Sequence, residues 1–123
     1  MVKQITRNEL LEMINSKKKF TLVDALAKDN YFREHIKGAI SLPLADIEQG
    51  ITKNLNQDDL IVTYCANFEC QASTKAAEKL VWLGYKNVLD YKGGLKDYKE
   101  AKLPMEGSFY MKEGGESPAC CKK

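Results

Sequence analysis

No stretch of this chain approaches the ~20 consecutive apolar residues that a membrane-spanning helix requires, so contact with a bilayer is not expected. Net charge is nearly missing as well. Nineteen basic residues oppose seventeen acidic ones, for a formal charge of +2. No basic stripe interleaved with aromatics runs along the chain, which leaves no case for nucleic acid. Lys17-Lys18-Lys19 is the basic cluster of note; it reads as a solvated turn between a helix and a strand, against a contact with a polyanion. The first residues, Met1-Val2-Lys3-Gln4-Ile5-Thr6, lack the apolar core of a signal peptide. A cytoplasmic protein is therefore expected, unless a leader has been removed. No internal repeat is visible. Histidine is almost absent: His35 is the only one, and so the only candidate base for a cysteine–histidine hydrolase.

What the chain does have is four cysteines, at 65, 70, 120 and 121. Without an export signal they argue for reactive or metal-binding thiols over a framework of structural disulfides. The length of 123 residues suits one domain with a true core, which needs no staples to fold.

Strand and helix signals alternate. Thr6-Arg7-Asn8-Glu9 has the form of a capping box, and Leu10, Leu11 and Ile14 follow at helical spacing. Strands are expected over 20–25 and over 39–42, the latter stopped by Pro43. A short helix is expected from Leu44 to Glu48. Leu60 to Tyr64 is an apolar run bounded as a buried strand. The next helix is read from Ser73 and carries Ala76, Ala77, Leu80 and Leu83 on one face; Gly84 suits its left-handed cap. A strand over 87–90, a Gly93-Gly94 turn and a helix over 95–101 complete the set. The pattern predicts an α/β fold with a parallel sheet covered on both faces.

Cys65 follows the 60–64 strand directly, and Ala66, Asn67, Phe68, Glu69, Cys70, Gln71 and Ala72 form the loop to the next helix. Open α/β sheets bind ligands at this carboxyl edge. Backbone N–H groups at the helix start can draw a cysteine from ~8.5 to between ~3.5 and ~7.5. Cys65 is thus the candidate nucleophile, expected to be ionised.

These residues, taken in order, resemble the single-domain rhodanese (sulfurtransferase) family over about residues 4–106. Leu22-Val23-Asp24 is similar to its first core strand with an aspartate. Tyr31-Phe32-Arg33-Glu34-His35-Ile36-Lys37-Gly38-Ala39-Ile40-Ser41-Leu42-Pro43 is similar to its "Y-x-x-x-H-I-x-G-A-x-x-x-P" element. Val62-Thr63-Tyr64-Cys65 resembles the strand that ends in the active cysteine, and Gly84-Tyr85-Lys86-Asn87-Val88 and Tyr91-Lys92-Gly93-Gly94-Leu95-Lys96-Asp97-Tyr98 resemble the closing elements. The resemblance implies a doubly wound central parallel sheet flanked by helices, as one domain over 1–106, with 107–123 as a mobile tail on which Phe109 and Tyr110 can still dock. It also implies an enzyme in which Cys65 takes a sulfane sulfur as a persulfide and passes it to a nucleophile. Its partners would be a sulfur donor and a thiol or protein acceptor. No metal and no organic cofactor is implied.

The chain departs from the commonest family loop, "C-R-x-G-x-R-S". Both loop arginines are missing, Glu69 adds negative charge, and the loop is two residues longer, in the form "C-x-x-x-x-C-x-x-S" found in a subset of the family. Leu26 stands where many members carry arginine. Arginine forks are the usual grip on oxyanions, so weak use of thiosulfate is expected, with Lys92 and Lys96 as partial replacements if their turn leans over the loop. The related phosphatases and arsenate reductases keep an arginine six residues after the cysteine; here that residue is Gln71, which disfavours their chemistry. A non-catalytic or redox-sensing module on the same fold is the alternative to an enzyme.

Cys70 has two readings: a thiol that resolves a Cys65 persulfide or sulfenate as a disulfide, or a small, idle loop residue. Its spacing from Cys65 is not that of a C-x-x-C dithiol. Cys120-Cys121 reads as a thiol pair for a metal, arsenical or reductant, or as an incidental feature of the tail; a zinc site of all four cysteines is the least favoured reading. The resemblance places His35 and Asp24 in supporting, structural roles. Trp82 reads as core or partial surface.

Overall fold

The computed structural model describes residues 2–52 and 55–110. In chain order its elements are Lys3–Ile5 (β1), Arg7–Asn15 (α1), Thr21–Asp24 (β2), Lys28–Arg33 (α2), His35–Ile36 (β3), Ile40–Ser41 (β4), Leu44–Glu48 (α3), Leu60–Tyr64 (β5), Ala72–Trp82 (α4), Asn87–Tyr91 (β6), Gly94–Glu100 (α5) and Met105–Glu106 (β7). Ser108–Tyr110 adds one 3-10 turn. Among the described residues no helix is long and apolar enough to cross a membrane.

Five strands form a parallel sheet in the order β1-β6-β5-β2-β4. Side chains alternate across it. Leu22, Val62 and Tyr64 face one core layer with Leu10 of α1 and Leu95 and Tyr98 of α5. Val23 and Ile61 face the other, with Ile47 of α3 and Ala76, Ala77 and Leu80 of α4. The helices thus cover both faces, as the alternation of elements requires. The capping box forms: Glu9 N–H donates to Thr6 Oγ1 and Thr6 N–H to Glu9 Oε1. Gly84 adopts φ +107° just after α4, the left-handed turn that glycine makes at least cost.

The structure adds elements that the residue pattern does not announce. Strand β1 is three residues long and buries only Ile5. Helix α2 buries no residue and has no side-chain cap, so it shows no apolar stripe. Strands β3 and β7 are two residues each and pair antiparallel across 70 positions, His35 with Glu106. The 3-10 turn lies against α2, with Tyr110 Oη donating to Glu34 Oε1 at 3.1 Å. Phe109 beside it stays exposed. Of the expected tail, residues 111–123, with Cys120 and Cys121, lie outside the described residues.

Candidate active site

The register of the sheet brings three strand ends together. Asp24 pairs with Tyr64, and Tyr64 with Tyr91. Cys65 comes next, at the carboxyl edge between the two core layers. Tyr64 is fully buried and fixed at its hydroxyl, which donates to Asp24 Oδ2 at 2.8 Å and accepts from Ile36 N–H at 3.0 Å. Asp24 also accepts from Leu26 N–H at 2.9 Å. Burial pushes the Asp24 carboxyl above its ordinary range, against the pull of these two donors. Asp24 is therefore a buried brace for the strand end that carries the cysteine.

The loop leaves β5 under the start of α5. Leu95 N–H donates to the Cys65 carbonyl at 2.9 Å, and Lys96 N–H to the Ala66 carbonyl at 2.8 Å. Gly94 permits this approach. Its φ is +65°, and a Cβ there would collide with the Cys65 carbonyl oxygen. The middle of the loop is an Asx turn: Asn67 Oδ1 accepts from Glu69 N–H and Cys70 N–H, each at 3.0 Å. Phe68 stands at the tip, 64% exposed, with Glu69 exposed beside it. Gln71 is exposed and Ala72 opens α4.

This turn folds Cys70 back onto Cys65. Cys65 is wholly buried and Cys70 half-buried. Cys65 Sγ donates to the Cys70 carbonyl oxygen at 3.4 Å, and its thiol also lies within hydrogen-bonding reach of the Cys70 thiol. Lys92, from the turn before α5, brings Nζ to the same carbonyl oxygen at 2.6 Å. The lysine thus leans over the loop. Lys96 is tied there through its backbone.

The electrostatics reverse one sequence expectation. Burial, then the hydrogen bond to Cys70, push the Cys65 thiol up; the Ser73 hydroxyl and N–H pull against them. The more ionised sulfur is Cys70. Burial opposes its charge, but the Cys65 thiol, the N–H groups of Ala66 and Ala72, and the Lys92 ammonium together hold it below the ordinary thiol value. The helix start does act on the thiols as expected of such a position, through Ser73 on Cys65 and through the Ala72 N–H on Cys70. Ser73 Oγ is buried beside Cys65 and has no hydrogen-bond partner of good geometry. It is placed to donate to that sulfur once the sulfur is charged. The "C-x-x-S" ending of the loop was the available signal for this residue.

His35 is held elsewhere. Its Nδ1 lies 2.8 Å from the Tyr31 carbonyl, its ring stacks on Tyr31 at 3.8 Å, and Nε2 faces Glu106 at 3.5 Å. It joins α2 to the β3–β7 ribbon. Trp82 is 75% exposed on α4, under the Lys79 ammonium. Leu26 packs on the core. No group of three or more metal-ligating side chains occurs among the described residues. Beside the loop runs an open groove of about 420 Å³, with Phe68, Tyr91, Lys92 and Arg7 in its wall. Arg7 Nη1 and Tyr91 Oη both reach Asp97, at 2.9 and 2.7 Å, and close its floor.

Comparison with known proteins agrees with this arrangement. The Rhodanese-like domain model matches residues 6–101. The thiosulfate sulfurtransferase GlpE of Coxiella burnetii is 28% identical over 99 residues, spanning 80% of this chain and 89% of that protein. The thiosulfate sulfurtransferase PspE of Escherichia coli is 32% identical over 82 residues, spanning 66% of this chain and 76% of that protein. The crystal structure of the BH2092 protein from Bacillus halodurans superposes with a TM-score of 0.80 at 30% identity, over 87% of this chain and 78% of that one. With its parallel sheet, its cysteine loop and this match over most of its length, the chain belongs to the rhodanese-like domain family.

Proposed function

We propose that the protein is a sulfurtransferase that moves a sulfane sulfur from a donor to a thiol or other nucleophile through a persulfide on Cys65. The observation that carries this reading is the environment of Cys65: it sits at the carboxyl end of β5 with its Sγ on the Cys70 carbonyl oxygen at 3.4 Å, the Ser73 hydroxyl is buried without a partner, and Cys70 is the more acidic of the two thiols. A protonated thiol is a poor nucleophile. The Cys70 thiolate is placed to take the Cys65 proton, as a general base within hydrogen-bonding reach. Cys65 Sγ then attacks the outer sulfur of the donor, and the donor leaves as a thiolate. The new Cys65–S–S⁻ anion is held by the Ser73 and Ala72 N–H groups and the Lys92 charge. An acceptor thiol attacks the outer sulfur and returns Cys65 to its starting state.

Substrate choice follows from charge. The loop has no arginine, carries Glu69, and commits Lys92 Nζ to the Cys70 carbonyl. A dianion such as thiosulfate finds no bidentate grip, so a persulfide of low charge is the better donor. Placing an arginine after the cysteine, Ala66→Arg, should raise turnover with thiosulfate relative to glutathione persulfide. An unchanged ratio would contradict the charge argument.

The direct test is intact mass after incubation with glutathione persulfide, polysulfide and thiosulfate. In samples quenched early, the expected first product gains one sulfur atom, loses it to cyanide, and does not form in Cys65→Ala. The complete burial of Cys65 favours a second reading, a redox-sensing binding module. Failure of every donor either to leave an adduct or to release sulfide would select it.

A further inference from the structure

We infer that Cys65 and Cys70 work as a dithiol pair that expels the bound sulfane sulfur as hydrosulfide and closes into an internal disulfide. This deepens the persulfide reading and rests on it.

Four residues lie between the two cysteines, and the Asn67 turn folds the second back so that Cys65 Sγ reaches its carbonyl oxygen. Both are tied to one polar point, the Cys70 carbonyl oxygen, which accepts from Cys65 Sγ at 3.4 Å and from Lys92 Nζ at 2.6 Å. Lys92 pins the second cysteine over the first. A residue that only filled space would need none of this: neither the turn that aims it, nor the N–H groups of Ala66 and Ala72 directed at its sulfur. The two thiols also differ as an attacking and a receiving sulfur should. Cys70 is partly open and set among donors, whereas Cys65 lies beneath it, out of solvent.

The step balances without an outside oxidant. Cys70 Sγ, as thiolate, attacks Cys65 Sγ of the persulfide. A Cys65–Cys70 sulfur–sulfur bond forms, and the bond from Cys65 Sγ to the outer sulfur breaks. The electron pair leaves on that outer sulfur, which takes back the proton that Cys70 had accepted from Cys65, so that Cys70 attacks as thiolate and the outer sulfur departs as HS⁻. The sulfane sulfur is reduced and the cysteine pair is oxidised by the same two electrons. Restoring the pair takes a dithiol reductant, small or protein-borne. It can reach only the half-exposed partner, so the mixed disulfide forms on Cys70 and Cys65 is the thiol released. An acceptor must then take the outer sulfur before Cys70 displaces it, and the state of the reductant pool decides between sulfur transfer and sulfide release.

The test uses the full, reduced chain under anaerobic conditions with one equivalent of glutathione persulfide. Intact mass, peptide mapping and released sulfide are followed together. The wild-type chain should lose two hydrogens, hold a Cys65–Cys70 bond and release one sulfide per chain; dithiothreitol should restore it. Cys70→Ser lacks the base that takes the Cys65 proton, so it is loaded to completion at alkaline pH, where the Cys65 thiol ionises unaided; it should then keep one added sulfur on Cys65, labile to cyanide, and release no sulfide. If wild type keeps its added sulfur as long as Cys70→Ser does, or if the bond involves Cys120 or Cys121, the inference fails and the persulfide reading stands. If wild type neither gains a sulfur nor releases sulfide, and Cys70→Ser at alkaline pH gains none or gains a whole glutathionyl group, both fall.

Discussion

The active loop hangs on backbone at its start and on sulfur at its end. At the start, Tyr64 is braced by Asp24 and Ile36, the carbonyls of Cys65 and Ala66 take the first N–H groups of α5, and Gly94 lets the two backbones touch. At the end, the N–H groups of α4 and the Lys92 ammonium are directed at thiols and at the Cys70 carbonyl. Two helix starts thus serve one loop in different ways. Helix α5 spends its free donors on structure, since a helix leaves its first N–H groups unpaired. Helix α4 turns its own first donors toward the two sulfurs. The lesson is that nearness of a helix start to a cysteine does not settle which sulfur it ionises; burial and the path of the loop settle that.

The largest expected effect tests the rigid end. Gly94→Ala puts a Cβ into the Cys65 carbonyl at positive φ. It should cost more than about 2 kcal/mol in urea unfolding, since left-handed backbone alone costs an L-residue roughly 1–2 kcal/mol. Full stability in that variant would show that the α5 clasp is slack. Tyr64→Phe comes next. It leaves the Ile36 N–H and the Asp24 carboxyl short of a partner, at about 1–3 kcal/mol for each buried group left unsatisfied.

The same brace has a pH signature. Burial raises the Asp24 carboxyl in the folded state, so between its ordinary value and the raised one the folded chain holds more protons than the unfolded chain. Stability from this group is complete at low pH and is lost as pH rises through the raised value. Asp24→Asn should flatten that slope in a series of unfolding curves. A slope unchanged in Asp24→Asn would assign it to another group.

The sulfur end should respond in reactivity instead. Lys92→Met removes a positive charge that favours the Cys70 thiolate. In a Cys65→Ser background, the pH profile of Cys70 alkylation should move to higher pH, with little change in unfolding. A large loss of stability with no shift in the profile would make Lys92 a structural pin only. Phe68→Ala should do least. Its side chain stands free at the loop tip, so stability should stay within roughly 0.5 kcal/mol and the alkylation profile should not move. A shift there would place Phe68 over the thiols.

The sequence by itself determined the scaffold. Local periodicity and punctuation mark β5, α3, α4 and the capped start of α1, because each has its apolar face or its stop signal within a few residues. The same local signals place a cysteine at the carboxyl edge of the sheet. The edge strand β1, helix α2 and the β3–β7 ribbon carry no such signal: two depend on partners far along the chain, and α2 buries no residue, Tyr31 alone of it packing on the core. Only the tertiary structure decided how the two cysteines differ. Which sulfur is sealed and which is the more acidic depends on the Asn67 turn, the approach of Gly94 and the reach of Lys92 from 22 residues away, and desolvation and charge act through space, where residue spacing leaves no trace.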